Sequence, residues 1–162
     1  MVWMRGIGLF VAGIILGILM MQPSASSQNK THGVRLNHVG LYVNNLDESV
    51  AFYKKMGFRP AFNFTDLQGH PIVYLQIDHD TFVEFTPATA EHPAGLSHLG
   101  IWSDDLKSTV SALRQNGIKV DDISMGATKA HITNLVDPNG LRTELLEFPP
   151  ESLQRKAINA WK

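Results

Sequence analysis

One segment of the chain occurs twice, and this internal repeat constrains the fold more than any other feature of the sequence. Residues 36–58 align with residues 96–118 at a constant offset of 60 positions without a gap, and six of the 23 aligned pairs are identical. Chance would give about one or two identities over such a stretch. Two copies are too few for a solenoid, which needs at least about three repeats. The repeat therefore predicts two copies of one unit that face each other around a pseudo-twofold axis.

Each copy has the residue pattern of a strand, a helix and three further strands. The first predicted strand, residues 36–43, alternates in polarity and is rich in β-forming residues, and the repeat places its equivalent at residue 96 onward. We predict helices over residues 46–56 and 106–116, each preceded by an asparagine or aspartate that can cap it and followed by a glycine that ends it. The remaining predicted strands are residues 58–64, 72–77, 81–86, 118–123, 130–136 and 141–148. The tail, residues 149–162, is predicted to end in a short surface helix.

Strand periodicity decides which side chains share a face of the predicted sheet, because successive strand residues point to opposite sides. In the first strand the apolar residues Val39 and Leu41 face the helices, and His38 faces away from them. The same parity sends two histidines and two glutamates to the non-helical face, namely His38, Glu84, His98 and Glu144. Gly40 and Gly100 share this face beside the histidines and leave room there.

The two glutamates pose an electrostatic problem, because both are flanked by apolar residues and burial without a partner would be costly. Two facing carboxylates would also repel each other and take up protons. A divalent cation removes both difficulties, since two carboxylates balance its charge and neutral imidazoles complete its shell. A single strand histidine is usually an ordinary core residue, and a single strand glutamate usually points to solvent. Two His–Glu pairs, each separated by 46 residues, instead favour one site for Ni, Zn, Co, Mn or Fe(II).

The N-terminal segment has the pattern of a secretory signal peptide. Arg5 precedes a run of 15 apolar or glycine residues, 7–21, and Pro23 and several small residues follow. The run is short for a membrane span, which needs about 20 apolar residues. We therefore predict a signal peptide at residues 1–27, a linker at 28–33 and an exported protein, periplasmic or extracellular. The alternative is an uncleaved membrane anchor.

Length, cysteine content and net charge limit which kinds of site and which kinds of partner the chain can have. A length of 162 residues suits one folded domain. The absence of cysteine excludes disulfides, thiolate metal sites and a cysteine nucleophile. The net charge of −1 gives no indication of a nucleic-acid partner. We expect a small-molecule substrate as the partner. The sequence does not decide whether the protein forms a homodimer.

The motifs around the histidines and glutamates are specific for a known fold. They are Asn37-His38-Val39-Gly40, residues 45–49 and 52–58, His98-Leu99-Gly100, Asp137-Pro138-Asn139-Gly140 and Glu144-Leu145. With them, residues 34–148 resemble the vicinal oxygen chelate superfamily, which includes glyoxalase I, methylmalonyl-CoA epimerase, extradiol dioxygenases and the bleomycin and fosfomycin resistance proteins. The resemblance implies an α+β fold in which two paired βαβββ modules, residues 34–88 and 94–148, form a curled mixed sheet around a metal site.

The resemblance also implies a chemistry. The metal ligands would come from the first and fourth strands of each module, which here carry His38, Glu84, His98 and Glu144. The metal would stabilise an enediolate or another developing oxyanion on a substrate with vicinal oxygens. Glu144 or Glu84 would be the catalytic residue that moves the proton. Glyoxalase I carries an arginine four residues after its first ligand to hold the glutathione carboxylate, and the residue here is Tyr42, which argues against glutathione.

Three functions follow as hypotheses. The leading one is an exported metal-dependent lyase or isomerase that acts on a small vicinal-oxygen substrate. The second is an Fe(II) extradiol-type dioxygenase, in which His38, His98 and Glu144 form a two-histidine, one-carboxylate site. The third is a metal-binding or drug-sequestering protein without catalysis.

Further residues on or near the predicted metal-facing side are candidates for substrate binding: Tyr42, Phe82, Trp102, Arg142 and His131. The three aromatic residues could line a pocket, and packing between the modules is their alternative role. Arg142 shares a strand face with Glu144 and could hold an anionic substrate group. A surface position is the alternative for His131.

Overall fold

The computed structural model describes residues 33–162 of the chain. The predicted signal peptide and nearly all of the predicted linker lie outside the described residues. Within residues 33–162, no helix is both long enough and apolar enough to cross a membrane.

The first module follows the predicted order of elements. It comprises β1 (Arg35–Val43), α1 (Leu46–Lys55), β2 (Arg59–Thr65), β3 (Pro71–Asp78) and β4 (Thr81–Pro87). Helix α1 begins after Asn45, whose side chain accepts a hydrogen bond from the backbone N–H of Glu48. It ends before Gly57, which adopts a φ of +97° that other residues rarely tolerate.

The second module repeats this order with one difference. It comprises β5 (Gly95–Trp102), α2 (Leu106–Gln115), β6 (Ser124–Met125), β7 (His131–Val136) and β8 (Arg142–Glu147). Asp105 caps α2 by accepting a hydrogen bond from the N–H of Ser108. The predicted strand over residues 118–123 is wrong, because the only strand in this region is the two-residue β6. The guanidinium of Arg114 donates to the carbonyls of Val120 and Asp121, which a strand would have paired with a neighbouring strand.

All eight strands of the described residues form one mixed sheet in the order β2-β3-β4-β1-β5-β8-β7-β6. Within each module the first and last strands are parallel, as β1 with β4 and β5 with β8. The two modules join through the antiparallel pair β1 and β5 at the centre of the sheet. The strand order is symmetric, because exchanging each strand with its equivalent in the other module gives the same order read from the opposite edge. The prediction of two paired βαβββ modules in a curled mixed sheet is therefore confirmed.

Helices α1 and α2 cover one face of the sheet, each with its own apolar cluster. Under α1, Val83 and Phe85 pack with Val50. Under α2, Leu145 packs with Leu106 and Val110. These clusters bury the apolar strand face, and they leave the opposite face for the residues of the candidate site.

The C-terminal helix α3 (Leu153–Asn159) packs against this opposite face. Its Ile158 is buried in a cluster with Phe82, Trp102 and Phe148, and Gln154 is only 1% exposed. The predicted short helix of the tail is thus present, but it packs one buried face on the sheet, which the prediction of a surface helix did not include. A helix of only seven residues shows little periodicity in the sequence, and its burial depends on strands that are distant along the chain.

Candidate metal centre

The register of the central strands sets the predicted ligands in two neighbouring rows across the sheet. The first row contains Glu84, Gly40 and His98 on β4, β1 and β5, and the second contains His38, Gly100 and Glu144 on β1, β5 and β8. Exchanging the modules converts one row into the other. Each module thus contributes one histidine and one glutamate, and each histidine lies beside the glycine of the other module.

These glycines are required by the close approach of the histidine rings. A Cβ atom added to Gly40 would lie 2.2 Å from Cε1 of His98, and one added to Gly100 would lie 2.1 Å from Cε1 of His38. No side chain larger than hydrogen fits at either position unless the ring moves. The two glycines let the imidazoles lie directly over the central strands.

The four side chains point toward one another on the non-helical face, with the two imidazoles between the two carboxylates. Nε2 of His38 and Nε2 of His98 are 2.9 Å apart, and Oε2 of Glu84 lies 3.5 Å from both of them. Oε2 of Glu144 lies 3.7 Å from Nε2 of His38 and 3.5 Å from Nε2 of His98. All four residues are buried, with exposures of 8% or less. His38, Glu84 and His98 offer ligand atoms that all lie within 4.8 Å of one another, which suits a single ion.

Asn37 orients the His38 ring. Its Nδ2 donates to the carbonyl of Asp80 at 2.7 Å, which turns Oδ1 toward Nδ1 of His38 at 3.1 Å. Because Oδ1 can only accept, Nδ1 is the donor in this hydrogen bond, and Nε2 is the ring nitrogen that faces the other predicted ligands. Ser97, the equivalent residue of the second module, holds its Oγ 2.9 Å from Nδ1 of His98.

Tyr74 is the main partner of Glu84 and was missed by the sequence argument. Its buried hydroxyl donates to Oε2 of Glu84 and lies 3.5 Å from Nε2 of His38. Thr86 donates a longer hydrogen bond to the other carboxylate oxygen. Tyr74 is the cross-strand neighbour of Glu84 in the antiparallel pair β3 and β4. The alternation of β3 could have placed it on this face, but its pairing with Glu84 requires the strand register.

Glu144 has a charged partner instead. Nη1 of Arg142 donates to Oε1 of Glu144, and it also lies 3.3 Å from Oδ1 of Asn134. Nη2 of the same guanidinium donates to Nδ1 of His98 at 2.8 Å. Two neutral hydroxyls contact the carboxylate of the first module, whereas a cation contacts that of the second.

The environment lowers the pKa of both glutamates. Burial opposes the ionisation of Glu144, but the hydrogen bond with His38 and the charges of both histidines and Arg142 outweigh it and hold its pKa at about 2. For Glu84, burial and the charge of Glu144 raise the pKa, and the hydrogen bond with His98 and the two histidine charges bring it below its ordinary value. Burial and the two carboxylates raise the pKa of Tyr74 well above that of free tyrosine, so its hydroxyl keeps its proton.

This donor set fits a divalent transition metal. Two imidazole nitrogens and two carboxylate oxygens suit Zn, Ni, Co, Mn or Fe(II) better than they suit Ca or Mg. Their charges balance as well, because both carboxylates are ionised and together match a charge of +2. A cation would also relieve the repulsion that Glu144 exerts on Glu84.

The family is decided by the sequence. Residues 35–145 match the Glyoxalase/Bleomycin resistance protein/Dioxygenase superfamily. The chain belongs to this superfamily. No curated protein sequence matches the chain.

Several solved structures share the fold. A methylmalonyl-CoA epimerase from Mycobacterium tuberculosis superposes with a TM-score of 0.63 at 21% identity, covering 72% of this chain and 89% of that one. A hypothetical protein from Bacillus halodurans C-125 gives 0.61 at 20% identity, with 72% and 96% covered. A 2,2',3-trihydroxybiphenyl 1,2-dioxygenase from Sphingomonas wittichii gives 0.57 at 20% identity, and the match covers 70% of this chain but only 42% of the dioxygenase. At these identities the likeness shows the fold and not the reaction.

Two of the three aromatic candidates belong to a buried apolar cluster. Phe82 is fully buried and Trp102 is 5% exposed, both in the cluster that Ile158 completes. The indole of Trp102 lies between the guanidinium groups of Arg35 and Arg155, at 3.6 and 4.7 Å from its ring centroid. Tyr42 stacks on His92 with ring centroids 5.0 Å apart. Phe82 and Trp102 are thus packing residues beside the site, and Tyr42 is half-buried.

His131 is not brought to the four predicted ligands. It pairs with Glu147 across β7 and β8, and its Nδ1 lies 3.8 Å from Oε1 of that residue. Both line a cleft beside α2, together with Leu106 and Val110. Strand parity places His131 on the helix-covered face, so the prediction that it borders the metal-facing cavity does not agree with the structure.

Proposed function

We propose that this chain is a metal-dependent lyase or isomerase of its superfamily that acts on a small substrate with vicinal oxygens. The observation that carries the proposal is the convergence of two imidazole side chains and two carboxylates of lowered pKa on one buried face. His38, Glu84, His98 and Glu144 would hold the ion. Bound there, it would supply Lewis-acid stabilisation for negative charge that develops on a substrate oxygen.

The two glutamates differ as candidates for moving the proton. Arg142 contacts Glu144, which stabilises the ionised form and makes that carboxylate the weaker base. Both glutamates contact the two histidines, but the further partners of Glu84 are the hydroxyls of Tyr74 and Thr86 rather than a guanidinium. The Tyr74 hydroxyl that donates to Glu84 can orient the carboxylate toward a substrate C–H. We therefore assign proton transfer to Glu84, and we assign to Glu144 a permanent role as a ligand.

Metal analysis of the purified protein, together with a measurement of oxygen uptake, tests the lyase or isomerase against the alternative functions. Ni, Zn or Co bound in one equivalent supports the lyase or isomerase. Fe(II) with oxygen uptake supports the dioxygenase, which the three-residue group of His38, Glu84 and His98 would also suit as a two-histidine, one-carboxylate site. A chain that binds no metal supports the ligand-sequestering hypothesis.

Two substitutions decide whether the ligand set is correct. We expect Glu84→Ala and Glu144→Ala each to lower metal content, because each removes a buried oxygen donor. Glu48→Ala, at an exposed position of α1, is the matched control. If both variants retain the metal content of the unaltered chain, the four-ligand site is wrong.

We also propose that the protein is exported. The support is the charged, apolar and small-residue order of residues 1–27. The mass of the protein recovered from the periplasm or medium tests it. A mass that lacks the leader supports export with cleavage, whereas full-length protein in the membrane fraction supports the anchor.

A further inference from the structure

The two halves of the candidate centre are not chemically equivalent, although the backbone repeats. At the 60-residue offset, Arg142 in the second module corresponds to Phe82 in the first, and Asn134 corresponds to Tyr74. Phe82 is fully buried among aromatic side chains. The Arg142 side chain is 38% exposed, so solvent and small solutes reach it. The second half of the site is therefore its polar and accessible side.

Arg142 leaves the metal-loaded site with an excess positive charge. Two ionised glutamates contribute −2 and a divalent ion +2, so the guanidinium adds a net charge of +1. Within residues 33–162, Arg142 is the only lysine or arginine that forms an ion pair or hydrogen bond with the four predicted ligands. A partly buried site with uncompensated positive charge favours an anionic occupant.

One edge of the guanidinium becomes available when His98 binds a metal. Arginine has no acceptor atom, so the contact from Nη2 requires a lone pair on Nδ1 of His98. A neutral histidine that ligates through Nε2 carries its proton on Nδ1, where it can donate to Oγ of Ser97 but repels the N–H of Arg142. Ligation and the Arg142–His98 contact are therefore mutually exclusive.

The freed edge has the geometry that carboxylates prefer. Nη1 of Arg142 is occupied by Glu144 and Asn134. Within the described part of the chain, no group accepts a hydrogen bond from its Nε, so Nε and Nη2 together present two parallel donors. Such a pair binds a carboxylate through two charge-assisted hydrogen bonds.

We infer that the substrate is a small carboxylate that also carries a hydroxyl or carbonyl oxygen for the metal, and that Arg142 binds its carboxylate. This inference rests on the proposed metal-dependent function and names the substrate class for the same site. A 2-hydroxycarboxylate is the simplest compound of this class, because its neighbouring oxygens can reach the ion and the guanidinium together.

The test uses the full chain loaded with Co²⁺, with glycolate and glycolamide as probes. The two probes differ in charge and hardly in shape, and the visible absorption of Co²⁺ reports their binding without any assay of activity. We expect Arg142→Gln to weaken glycolate binding about tenfold or more, since a charge-assisted contact contributes about 1.5–3 kcal/mol. Glycolamide binding should be unchanged.

Two further variants control this result. Lys55→Gln removes one positive charge at an exposed position of α1 and should leave both affinities unchanged. Arg142→Lys retains the charge without the paired donors and should give an intermediate glycolate affinity. If Arg142→Gln fails to fold, Arg142→Lys takes its place in the comparison with the unaltered chain.

The outcomes separate this inference from the proposed function. A chain that binds no Co²⁺ contradicts both. A chain that binds Co²⁺ but binds glycolate equally with and without Arg142 contradicts the inference alone. Glycolate that binds the unaltered chain no more tightly than glycolamide also overturns the inference, whatever the variants do.

Discussion

At the scale of single residues, the site depends on the absence of two side chains as much as on the presence of four. Gly40 and Gly100 lie under the rings of His98 and His38, and both contacts cross the boundary between the modules. The sequence predicted that these glycines leave room. It could not show that each makes room for the histidine of the other module, because this follows from the β1–β5 register.

We expect Gly40→Ala to weaken metal binding about 10- to 100-fold, as loss of a group that orients a ligand typically does. The added methyl would collide with the His98 ring and displace Nε2. Calorimetric titration with Zn²⁺ measures the effect. Gly126→Ala is the control, because its added Cβ would meet its nearest neighbours at 3.4 and 3.5 Å, which is ordinary contact. Unchanged affinity in Gly40→Ala would show that the His98 ring does not lie where the structure has it.

The lowered pKa of Glu144 predicts how stability changes in acid. Because the folded pKa of about 2 lies below the ordinary value of 4.5, the ionised carboxylate stabilises the fold fully above pH 4.5. This contribution is lost as the pH falls through the folded pKa. We expect the difference in unfolding free energy between the metal-stripped chain and its Glu144→Gln variant to shrink as the pH falls from 4.5 toward 2. Urea unfolding at a series of pH values measures it, and a difference that grows in acid would contradict it.

At the scale of secondary-structure elements, the C-terminal helix is the largest departure from the predicted arrangement. Two side-chain hydrogen bonds fix the segment that contains helix α3, one before the helix and one at the C-terminus. Nε of Arg155 donates to the carbonyl of Phe148 at 3.2 Å, and Nη1 of Arg59 on β2 donates to the carbonyl of Lys162 at 3.2 Å. The tail thus connects the last strand of one module to the first β-hairpin of the other, and covers the apolar part of the metal-facing side.

Burial of Ile158 gives this helix a measurable role in stability. We expect Ile158→Ala to lower the unfolding free energy by about 2–4 kcal/mol, because it removes buried methyl groups and leaves a cavity beside Trp102. Ile77→Ala, at a position that is 41% exposed, should cost less than about 1 kcal/mol. Urea unfolding compares the two variants. Equal costs would mean that α3 does not pack on the sheet in solution.

At the scale of the whole molecule, the candidate site ties the two modules together. Each module supplies one histidine and one glutamate, and the four ligand atoms meet over the central β1–β5 pair. An ion bound there would add a cross-link between the modules to the hydrogen bonds that join their strands. The site is consequently part of the stability of the fold as well as of its chemistry.

Metal removal should therefore destabilise the protein. For an ion present at 100 times its dissociation constant, we expect about 2.7 kcal/mol of added stability, which a chelator would remove. Thermal unfolding with and without chelator measures the difference. The Glu84→Ala variant is the internal control, since its unfolding should respond little to the chelator. An unaltered chain whose melting temperature ignores the chelator would contradict a metal shared between the modules.

The sequence by itself determined the features that repeat or alternate. An ungapped 60-residue offset gave two modules, and strand parity put His38, Glu84, His98 and Glu144 on one face, because both patterns are local properties of the chain. Only the tertiary structure decided which partners surround them. Tyr74 beside Glu84, Arg142 beside Glu144 and α3 over the aromatic cluster depend on strand register and on packing between residues that are distant in sequence. Periodicity carries no information about such contacts, and in this chain they distinguish one half of the site from the other.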